Sequence, residues 1–379
     1  MQWLVPLSDI DSGGEEEAAA LGVLRSRWLT MGSVTEAFEE AFAALIKAPH
    51  AIAVCNATAG LHLACRAAGI GQGDEVILPS LTFVATAAAC LYVGATPVFA
   101  DVESEDDLDL SPSSVETRIT GRTKAVIVVH YGGYACDMPR IMEIARAHRL
   151  VVIEDASHAP GGRLDGRSLG LWGDIGVFSF FSNKNMTTGE GGMLTTSRAD
   201  LADRMRLLRS HAMTSLTWDR HQGHAASYDV LDLGYNYRLD ELRSAIGQVQ
   251  LARLEGNNER RRSLTALYRA RLQVEAPEVT LPFSCPRGTS TCHLMPILLP
   301  RGCDRARFVD DMKASQVQTS LHYPPVHRFT FYQNHAPATG PLPMTEEVAQ
   351  REVTLPLFPT MTMDQLDLVV RSVRQSLAA

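Results

Sequence analysis

Short runs of apolar residues alternate with helix-like segments from about residue 50 to residue 200. The runs are continuous rather than alternating in polarity, which indicates strands that are buried on both faces. They predict seven strands, at 51–55, 75–79, 97–102, 125–130, 150–156, 175–181 and 192–196. Because strands alternating with helices are typical of βαβ units, we expect an α/β fold with a mostly parallel sheet.

The C-terminal third follows a different pattern. A long, arginine-rich helix is predicted over 239–272, followed by apolar runs at 292–299 and 318–323 and helices at 305–315 and 363–377. This order is typical of a smaller α+β domain with its own sheet. We therefore expect an N-terminal arm and large domain over 1–250 and a small domain over 251–379. The first 45 residues are expected to pack on the large domain or on a partner subunit.

Composition narrows the class of protein. The chain has 379 residues, 45% hydrophobic and 21% charged, which is ordinary for a soluble globular protein. A net charge of -8 without a basic cluster argues against nucleic acid and membrane surfaces as partners. No segment is predicted to span a bilayer or to act as a signal peptide, so a cytoplasmic location is expected. Seven scattered cysteines without a CxxC pair argue against disulfides and a zinc site.

Ligands of parallel sheets bind at the carboxyl ends of the strands, so the residues that follow the predicted strands are the candidates for chemistry. Lys184 follows the run that ends at 181, and it is one of only four lysines among 35 basic residues. A lysine at a buried strand end is desolvated, which lowers its pKa and favours the neutral amine that forms a Schiff base. The alternative is an ordinary lysine in a surface loop.

Asp155 lies near the end of the predicted strand 150–156, 29 residues before Lys184, so the two side chains can face one ligand. A buried carboxylate needs a partner. The pyridine nitrogen of pyridoxal phosphate (PLP) is such a partner, because its protonation makes the ring an electron sink. The alternatives are an aspartate that caps the next segment or one that binds a metal, although no ligand cluster accompanies it.

Weaker candidates follow two other predicted strands, and one more lies three residues after Asp155. The segment Asn56-Ala57-Thr58 opens a helix whose N-terminus favours a phosphate, although a plain capped helix start has the same residues. Phe83 can stack on a flat ring or belong to the core, and His158 can bond a phenolic oxygen or be structural. No GxGxxG follows the first strand, which argues against a nicotinamide dehydrogenase.

Several stretches in a fixed order carry a family resemblance. They are RSRWLTMG (25–32), NATAGLHLA (56–64), GDEVILPSLTFVATAAA (73–89), GATPVFADV (94–102), EDASHAPGG (154–162), FSFFSNKNMTTGEGG (178–192), LGYNYRLDELRSAIG (233–247) and HYPPVH (322–327). The chain resembles, nearly end to end, the DegT/DnrJ/EryC1/StrS family of PLP-dependent sugar aminotransferases. That family has the fold of the aspartate aminotransferase-like enzymes, fold type I.

The resemblance implies PLP as the cofactor and assigns roles by position. Lys184 is the implied Schiff-base lysine and proton shuttle, and Asp155 the implied partner of the pyridine nitrogen. The other implied cofactor contacts are Phe83 on the ring, His158 near the phenolic oxygen or ring face, and Thr58, the Ala59 backbone and Ser179 at the phosphate. In a homodimer with shared sites, Asn236 would reach the phosphate in the neighbouring subunit. The implied substrate side consists of Thr30, Met31, His322, Tyr323 and His327.

The implied reaction moves an amino group, from glutamate with release of 2-oxoglutarate, onto a nucleotide-diphosphate keto-sugar. The run TTGEGG (187–192) looks like that of family members acting at carbon 4, so a 4-keto sugar is expected. A carbon-3 aminotransferase is the alternative. Members that act as sugar dehydratases carry histidine at the lysine position, and a non-catalytic sensor would have no need of Lys184.

One segment departs from the family pattern. Relatives commonly read SGTAAL or NGTAAL at the phosphate-binding turn, whereas this chain reads NATAGL, with Ala57 in place of glycine and Gly60 in place of alanine. We expect a slightly reshaped turn that still binds phosphate. The arginine-rich, lysine-poor usage is associated with GC-rich bacterial genomes, in which such enzymes serve antibiotic or surface-polysaccharide synthesis.

Overall fold

The computed structural model describes residues 3–214, 227–336 and 340–378. The helices of this part, numbered in chain order, are α1 (Gly14–Ser26), α2 (Ser33–Ile46), α3 (Ala57–Ala67), α4 (Val84–Tyr92), α5 (Pro112–Arg118), α6 (Met138–His148), α7 (Ala199–Arg209), α8 (Glu241–Glu275), α9 (Arg305–Ala314), α10 (Thr330–His335), α11 (Pro343–Arg351) and α12 (Met363–Ala378). The strands are β1 (His50–Val54), β2 (Glu75–Pro79), β3 (Thr96–Ala100), β4 (Thr123–Val129), β5 (Val151–Asp155), β6 (Arg163–Leu164), β7 (Arg167–Ser168), β8 (Ile175–Ser179), β9 (Gly192–Thr196), β10 (Met295–Leu298) and β11 (Glu352–Leu355).

Seven strands form one sheet in the order β1-β9-β8-β5-β4-β2-β3. Strand β9 is antiparallel to both of its neighbours, and every other neighbouring pair is parallel. The α/β class and the mostly parallel sheet are thus confirmed. The seven predicted strands all form, with ends within two residues of the prediction. No helix of the described residues is long and apolar enough to cross a bilayer.

Helices cover both faces of this sheet, which explains the continuous apolar runs. Along β4, Val126 and Val128 pack into one core, together with Phe42 of α2. Ala125 and Ile127 point the other way, into a second core. Because side chains alternate between the two faces of a strand, a strand with a core on each side is apolar at every position.

The long helix α8 connects the large sheet to the C-terminal elements. It begins after Asp240, whose side chain accepts a hydrogen bond from the Arg243 amide, as an N-cap does. Leu254, in its first half, packs in the core of the large sheet, whereas Leu264 and Tyr268, in its second half, pack in a third core with β10 and β11. The predicted domain boundary at residue 250 falls inside this helix.

Helices α1 and α2 occupy the segment that the sequence predicted only as an arm, and both pack along α8. The residue before α2 is Gly32, which has no side chain to cap the helix. Glu241 at the start of α8 replaces it, with its carboxylate accepting hydrogen bonds from the amides of Gly32 and Thr35 at 2.9 Å each. A cap supplied by a distant residue leaves no local signal, so the pattern missed this helix.

The small sheet differs from the prediction. The run 318–323 was expected to be a strand, but it meets the sheet only at a single bridge between Ser320 and Thr354. The partner of β10 is instead β11, in antiparallel pairing. The expectation was wrong because the chain leaves the ladder after Ser320, and the amide of His322 donates to the Glu352 carboxyl rather than to a strand carbonyl.

Candidate active site

The carboxyl ends of β1, β2, β5 and β8 meet at a cavity of about 420 Å³. Its walls are formed by Asn56, Ala57, Thr58, Leu61, Thr82, Phe83, Ala85, Val129, Asp155, Ser157, His158, Ser179, Phe181, Asn183, Lys184, Glu190, His322 and Tyr323. The set includes eight of the thirteen residues to which the resemblance assigned a role: Thr58, Phe83, Asp155, His158, Ser179, Lys184, His322 and Tyr323. They come from separate parts of the chain and are brought together by the parallel sheet, as expected for a ligand site at strand ends.

Lys184 stands in the turn after β8, where its amide donates to the carbonyl of Phe181 at 2.9 Å. Burial of the side chain lowers the pKa of Lys184 to about 8, and the Asp155 charge acts in the opposite direction. A substantial fraction of the amine is therefore neutral near physiological pH. A neutral amine can attack an aldehyde, so this lysine has the state that Schiff-base formation requires.

Asp155 ends β5 and is only 6% exposed. Its Oδ2 accepts a hydrogen bond from the Thr86 hydroxyl at 2.8 Å, and its Oδ1 accepts one from the Ser157 amide at 3.2 Å. The Thr86 hydroxyl also lies 2.9 Å from the hydroxyl of Thr82, which precedes the helix. The hydrogen bonds from Thr86 and Ser157 fix the orientation of the carboxylate, which lines the cavity and can there pair with a cationic nitrogen.

The N-terminus of α3 forms a third wall of the cavity. The Asn56 side chain caps the helix by accepting a hydrogen bond from the Ala59 N–H at 2.8 Å, so this N–H already has a partner within the protein. Gly60 lets the helix lie close to the sheet, because a Cβ built there would stand 2.8 Å from Cγ1 of Val177. The amide groups and hydroxyls at this helix start favour an anion in the cavity.

Two histidines and a tyrosine, His158, His322 and Tyr323, also line the cavity. Nε2 of His158 lies 3.1 Å from Oη of Tyr323, and Nδ1 of His158 accepts the Gly132 amide at 3.2 Å. Burial and the nearby Lys184 charge hold the pKa of His158 well below its usual range. The same two causes lower the pKa of His322 to about 4. Both rings are therefore neutral at physiological pH.

Five predicted site residues do not line the cavity of the single chain, and one of them is Ala59, whose amide is bound by the Asn56 side chain. His327 is engaged elsewhere, with Nδ1 2.7 Å from the Ser80 hydroxyl and Nε2 3.2 Å from a Glu346 oxygen. Asn236 forms an isolated bridge with Ser210. Thr30 and Met31 lie in the connection between α1 and α2, where Met31 is buried. Their implied roles remain predictions.

Comparison with known proteins agrees with the geometry of the cavity. The model of the DegT/DnrJ/EryC1/StrS aminotransferase family matches residues 11–374. The chain belongs to this family. The spore coat polysaccharide biosynthesis protein SpsC of Bacillus subtilis (strain 168) is 39% identical over 368 residues, which cover 96% of this chain and 94% of that protein.

Solved structures give the same family. The aminotransferase TlmJ from Streptoalloteichus hindustanus is 33% identical, with a TM-score of 0.91 over 99% of each chain. DesI, solved in the presence of its TDP-sugar product, is also 33% identical, with a TM-score of 0.88 over 99% of this chain and 93% of that one. As a member of this family, the chain is a PLP-dependent sugar aminotransferase of the fold type I architecture.

The cavity fits PLP, part by part. PLP presents an aldehyde, a ring nitrogen, an aromatic face and a phosphate, and each needs a different kind of partner. The cavity offers the amine of Lys184, the carboxylate of Asp155, the ring of Phe83, and the start of α3 with the Thr58 hydroxyl. Phe83 is 57% exposed, although it is large and apolar, which is expected for a ring that faces a ligand.

Sequence reasoning missed the residues behind the cavity wall. Thr86 holds Asp155, and Glu352 and Thr354 hold His322. Thr86 carries a weak local signal, because it lies in the first turn of the helix that follows β2, close to the predicted ligand-binding edge of the sheet. The other two lie in the small domain and carry none.

Proposed function

We propose that the enzyme transfers an amino group from glutamate to carbon 4 of a nucleotide-diphosphate 4-keto sugar. The observation that carries this proposal is the pairing of Lys184, with its lowered pKa of about 8, and Asp155 in one cavity. Two relatives support the substrate class, since SpsC is named for polysaccharide biosynthesis and DesI was solved with a TDP-sugar product. Carbon 4 rests on the run TTGEGG (187–192).

The chain's own residues would perform distinct tasks. PLP, when bound, supplies an electron sink for the carbanion next to the reacting nitrogen. Lys184 would hold the cofactor as a Schiff base and, once displaced, would accept and return the migrating proton. Asp155, held by Thr86, would keep a proton on the pyridine nitrogen. His158 would lie near the phenolic oxygen or ring face, with its Nδ1 oriented by the Gly132 amide.

Different residues would bind the phosphate and the substrate. Thr58, Ser179 and backbone amides near Ala59 would hold the phosphate at the start of α3, where the helix dipole favours an anion. The substrate side would be formed by His322 and Tyr323, together with Thr30, Met31 and His327. Glu190, in the run TTGEGG, also lines the cavity and would contact a polar substrate.

We also propose a homodimer with shared active sites, in which Asn236 reaches the cofactor phosphate of the partner. An apolar stretch precedes this residue, and its members Tyr228, Val230, Leu231 and Leu233 are each more than half exposed, Leu233 at 72%. Exposed apolar side chains clustered in one segment are typical of an interface. A two-fold dimer would bury the segment on both subunits at once.

Mixed dimers test the sharing directly. Lys184→Ala and Asn236→Ala are each expected to inactivate their homodimers. In a mixed dimer of the two variants, one site would combine both substitutions and the other would be intact, so activity should return on mixing. Failure to regain activity, with mixed dimers present by mass, would contradict a shared site.

The reaction is tested by the visible spectrum of the PLP-loaded enzyme before and after addition of glutamate. We expect the band of bound PLP to bleach with glutamate and to return with a 4-keto sugar nucleotide, whose aminated product is then assigned by NMR. Lys184→Ala should abolish both changes, and Lys313→Ala, an exposed lysine of α9, should leave them intact. Amination of a 3-keto sugar instead would favour the carbon-3 alternative, and a band that ignores glutamate would refute this donor.

The division at residue 250 and the cytoplasmic location also stay proposals. The separate cores at the two ends of α8 support the two-domain division, and limited proteolysis would test it. Cell fractionation would test the location.

A further inference from the structure

His322 is fixed at three of its atoms by buried groups of the protein. Its amide donates to Oε2 of Glu352 at 2.9 Å, and its Nδ1 lies 2.9 Å from Oγ1 of Thr354. Its carbonyl oxygen accepts a hydrogen bond from the Tyr131 hydroxyl. Glu352, Thr354 and Tyr131 are each 1% exposed, so water does not compete for these contacts. The imidazole therefore has one orientation, with its ring in the cavity wall.

The direction of these hydrogen bonds identifies the nitrogen that carries the ring proton. Thr354 donates its only hydroxyl proton to Oε1 of Glu352, whose other oxygen accepts the His322 amide. With that proton committed, Oγ1 of Thr354 can only accept from Nδ1. As long as Glu352 is a carboxylate, Nδ1 is therefore the protonated nitrogen. A neutral imidazole has a single N–H, which leaves Nε2 as a bare acceptor.

The remaining lone pair is directed to the reaction chamber. Burial and Lys184 lower the pKa of His322 to about 4, so the ring stays neutral at physiological pH. In the part of the chain that the structure describes, no hydrogen bond reaches Nε2, and the ring lines the cavity beside Lys184 and Tyr323. A sugar substrate carries several hydroxyl donors, which a neutral acceptor complements.

We propose that Glu352 and Thr354 are positioning residues that hold His322 with Nδ1 protonated, so that Nε2 accepts a hydrogen bond from a hydroxyl of the sugar substrate. The choice of a sugar hydroxyl rests on the proposed function, whereas the tautomer rests on the contacts alone. Burial raises the pKa of Glu352 to about 8, against the two hydrogen bonds that favour its charge. A protonated Glu352 would donate to Thr354 and reverse the assignment, so the proposal applies to the carboxylate form, and measurements should be made at about pH 9.

The variant Glu352→Gln is nearly isosteric and makes a directional prediction. The side-chain oxygen of the introduced glutamine must accept the hydrogen bond from the backbone N–H of His322. Its NH2 group must then donate a hydrogen bond to Oγ1 of Thr354. The Thr354 hydroxyl then turns to donate to Nδ1, and the ring proton moves to Nε2. Nitrogen NMR of the PLP-loaded enzyme with isotope-labelled histidine distinguishes the two tautomers, and the His322 signal is identified by its loss in His322→Gln.

We expect protonated Nδ1 in the unmodified enzyme and in Thr354→Ser, which keeps the hydroxyl. We expect protonated Nε2 in Glu352→Gln. An exposed control, Glu278→Gln, should not change the signal. Protonated Nε2 in the unmodified enzyme, or an unchanged tautomer in Glu352→Gln, would overturn the inference. If Glu352→Gln does not fold, Thr354→Val carries the test, since Nδ1 then has no acceptor and must lose its fixed protonation.

Kinetics test the role of the acceptor. Glu352→Gln should raise KM for the keto-sugar about 3- to 10-fold, the value of one neutral hydrogen bond. The rate at which glutamate bleaches the cofactor band should stay unchanged, because that step involves no sugar. Equal losses in both half-reactions, together with a lower melting temperature, would indicate a merely structural role and overturn the proposal. If no keto-sugar reacts at all, the proposed function fails, while the NMR result still decides the tautomer.

Discussion

The lowered pKa of Lys184 predicts how the rate of PLP loading depends on pH. Only the neutral amine attacks the aldehyde, so the rate of loading onto the apoenzyme should follow the neutral fraction of Lys184. With the pKa near 8, this rate should rise with pH up to about pH 8 and then level off. An ordinary lysine, with a pKa of 10.5, would still gain rate above pH 10.

The size of the effect follows from the two values. At pH 7 a pKa of about 8 leaves roughly 9% of the amine neutral, whereas a pKa of 10.5 leaves roughly 0.03%. The lowered pKa thus increases the reactive fraction about 300-fold at that pH. Burial is the cause, because it disfavours the ammonium more than the Asp155 charge stabilises it.

Stopped-flow absorbance of the apoenzyme mixed with PLP, from about pH 6 to pH 10, measures this curve. Asp155→Asn removes the charge that raises the pKa of Lys184, so its plateau should begin below that of the unmodified enzyme. Asp203→Asn, an exposed aspartate of α7, is the matched control and should leave the curve unchanged. A rate that rises steadily beyond pH 9.5 in the unmodified enzyme would refute the reasoning.

Two further predictions concern the cavity wall. Gly60→Ala should lower the free energy of unfolding by about 1–3 kcal/mol, because its Cβ would stand 2.8 Å from Cγ1 of Val177 in the core. The control is Gly256→Ala in α8, whose Cβ would meet nothing within 4 Å and which should raise the free energy of unfolding by up to about 1 kcal/mol. If denaturant unfolding gave the two variants equal changes in stability, the packing argument would be contradicted. Thr86→Val should weaken PLP binding about 10-fold or more, because Asp155 loses a hydrogen-bond donor, whereas Thr86→Ser keeps the hydroxyl and should bind PLP normally. Equilibrium titration with PLP measures both affinities, and an unimpaired valine variant would exclude this role for Thr86.

The sheet and its strand ends could be predicted because their signals are local. A strand covered on both faces is apolar at every position, so each strand of the large sheet is visible as a run. The carboxyl ends of parallel strands meet at one edge, which is why Lys184 and Asp155 could be assigned to one ligand. The order of several sequence stretches then indicated the family, which the comparisons confirmed.

Other elements depended on partners far away in the chain. Helix α2 has glycine at its N-cap, and its cap is Glu241, more than 200 residues further on. The run 318–323 has the composition of a strand, but β10 pairs with β11 instead. In both cases the residues that decide the structure become neighbours only after the chain has folded, so no local pattern records them.

The sequence by itself determined the fold class, the family and eight of the residues that meet in the cavity. Only the tertiary structure decided their chemical state. The pKa of Lys184, the neutral rings of His158 and His322, and the nitrogen of His322 that carries the proton are set by burial and by contacts with other segments. The physical reason is that the energy of a charge or a proton depends on everything within a few ångströms in space, and those neighbours come from all parts of the chain.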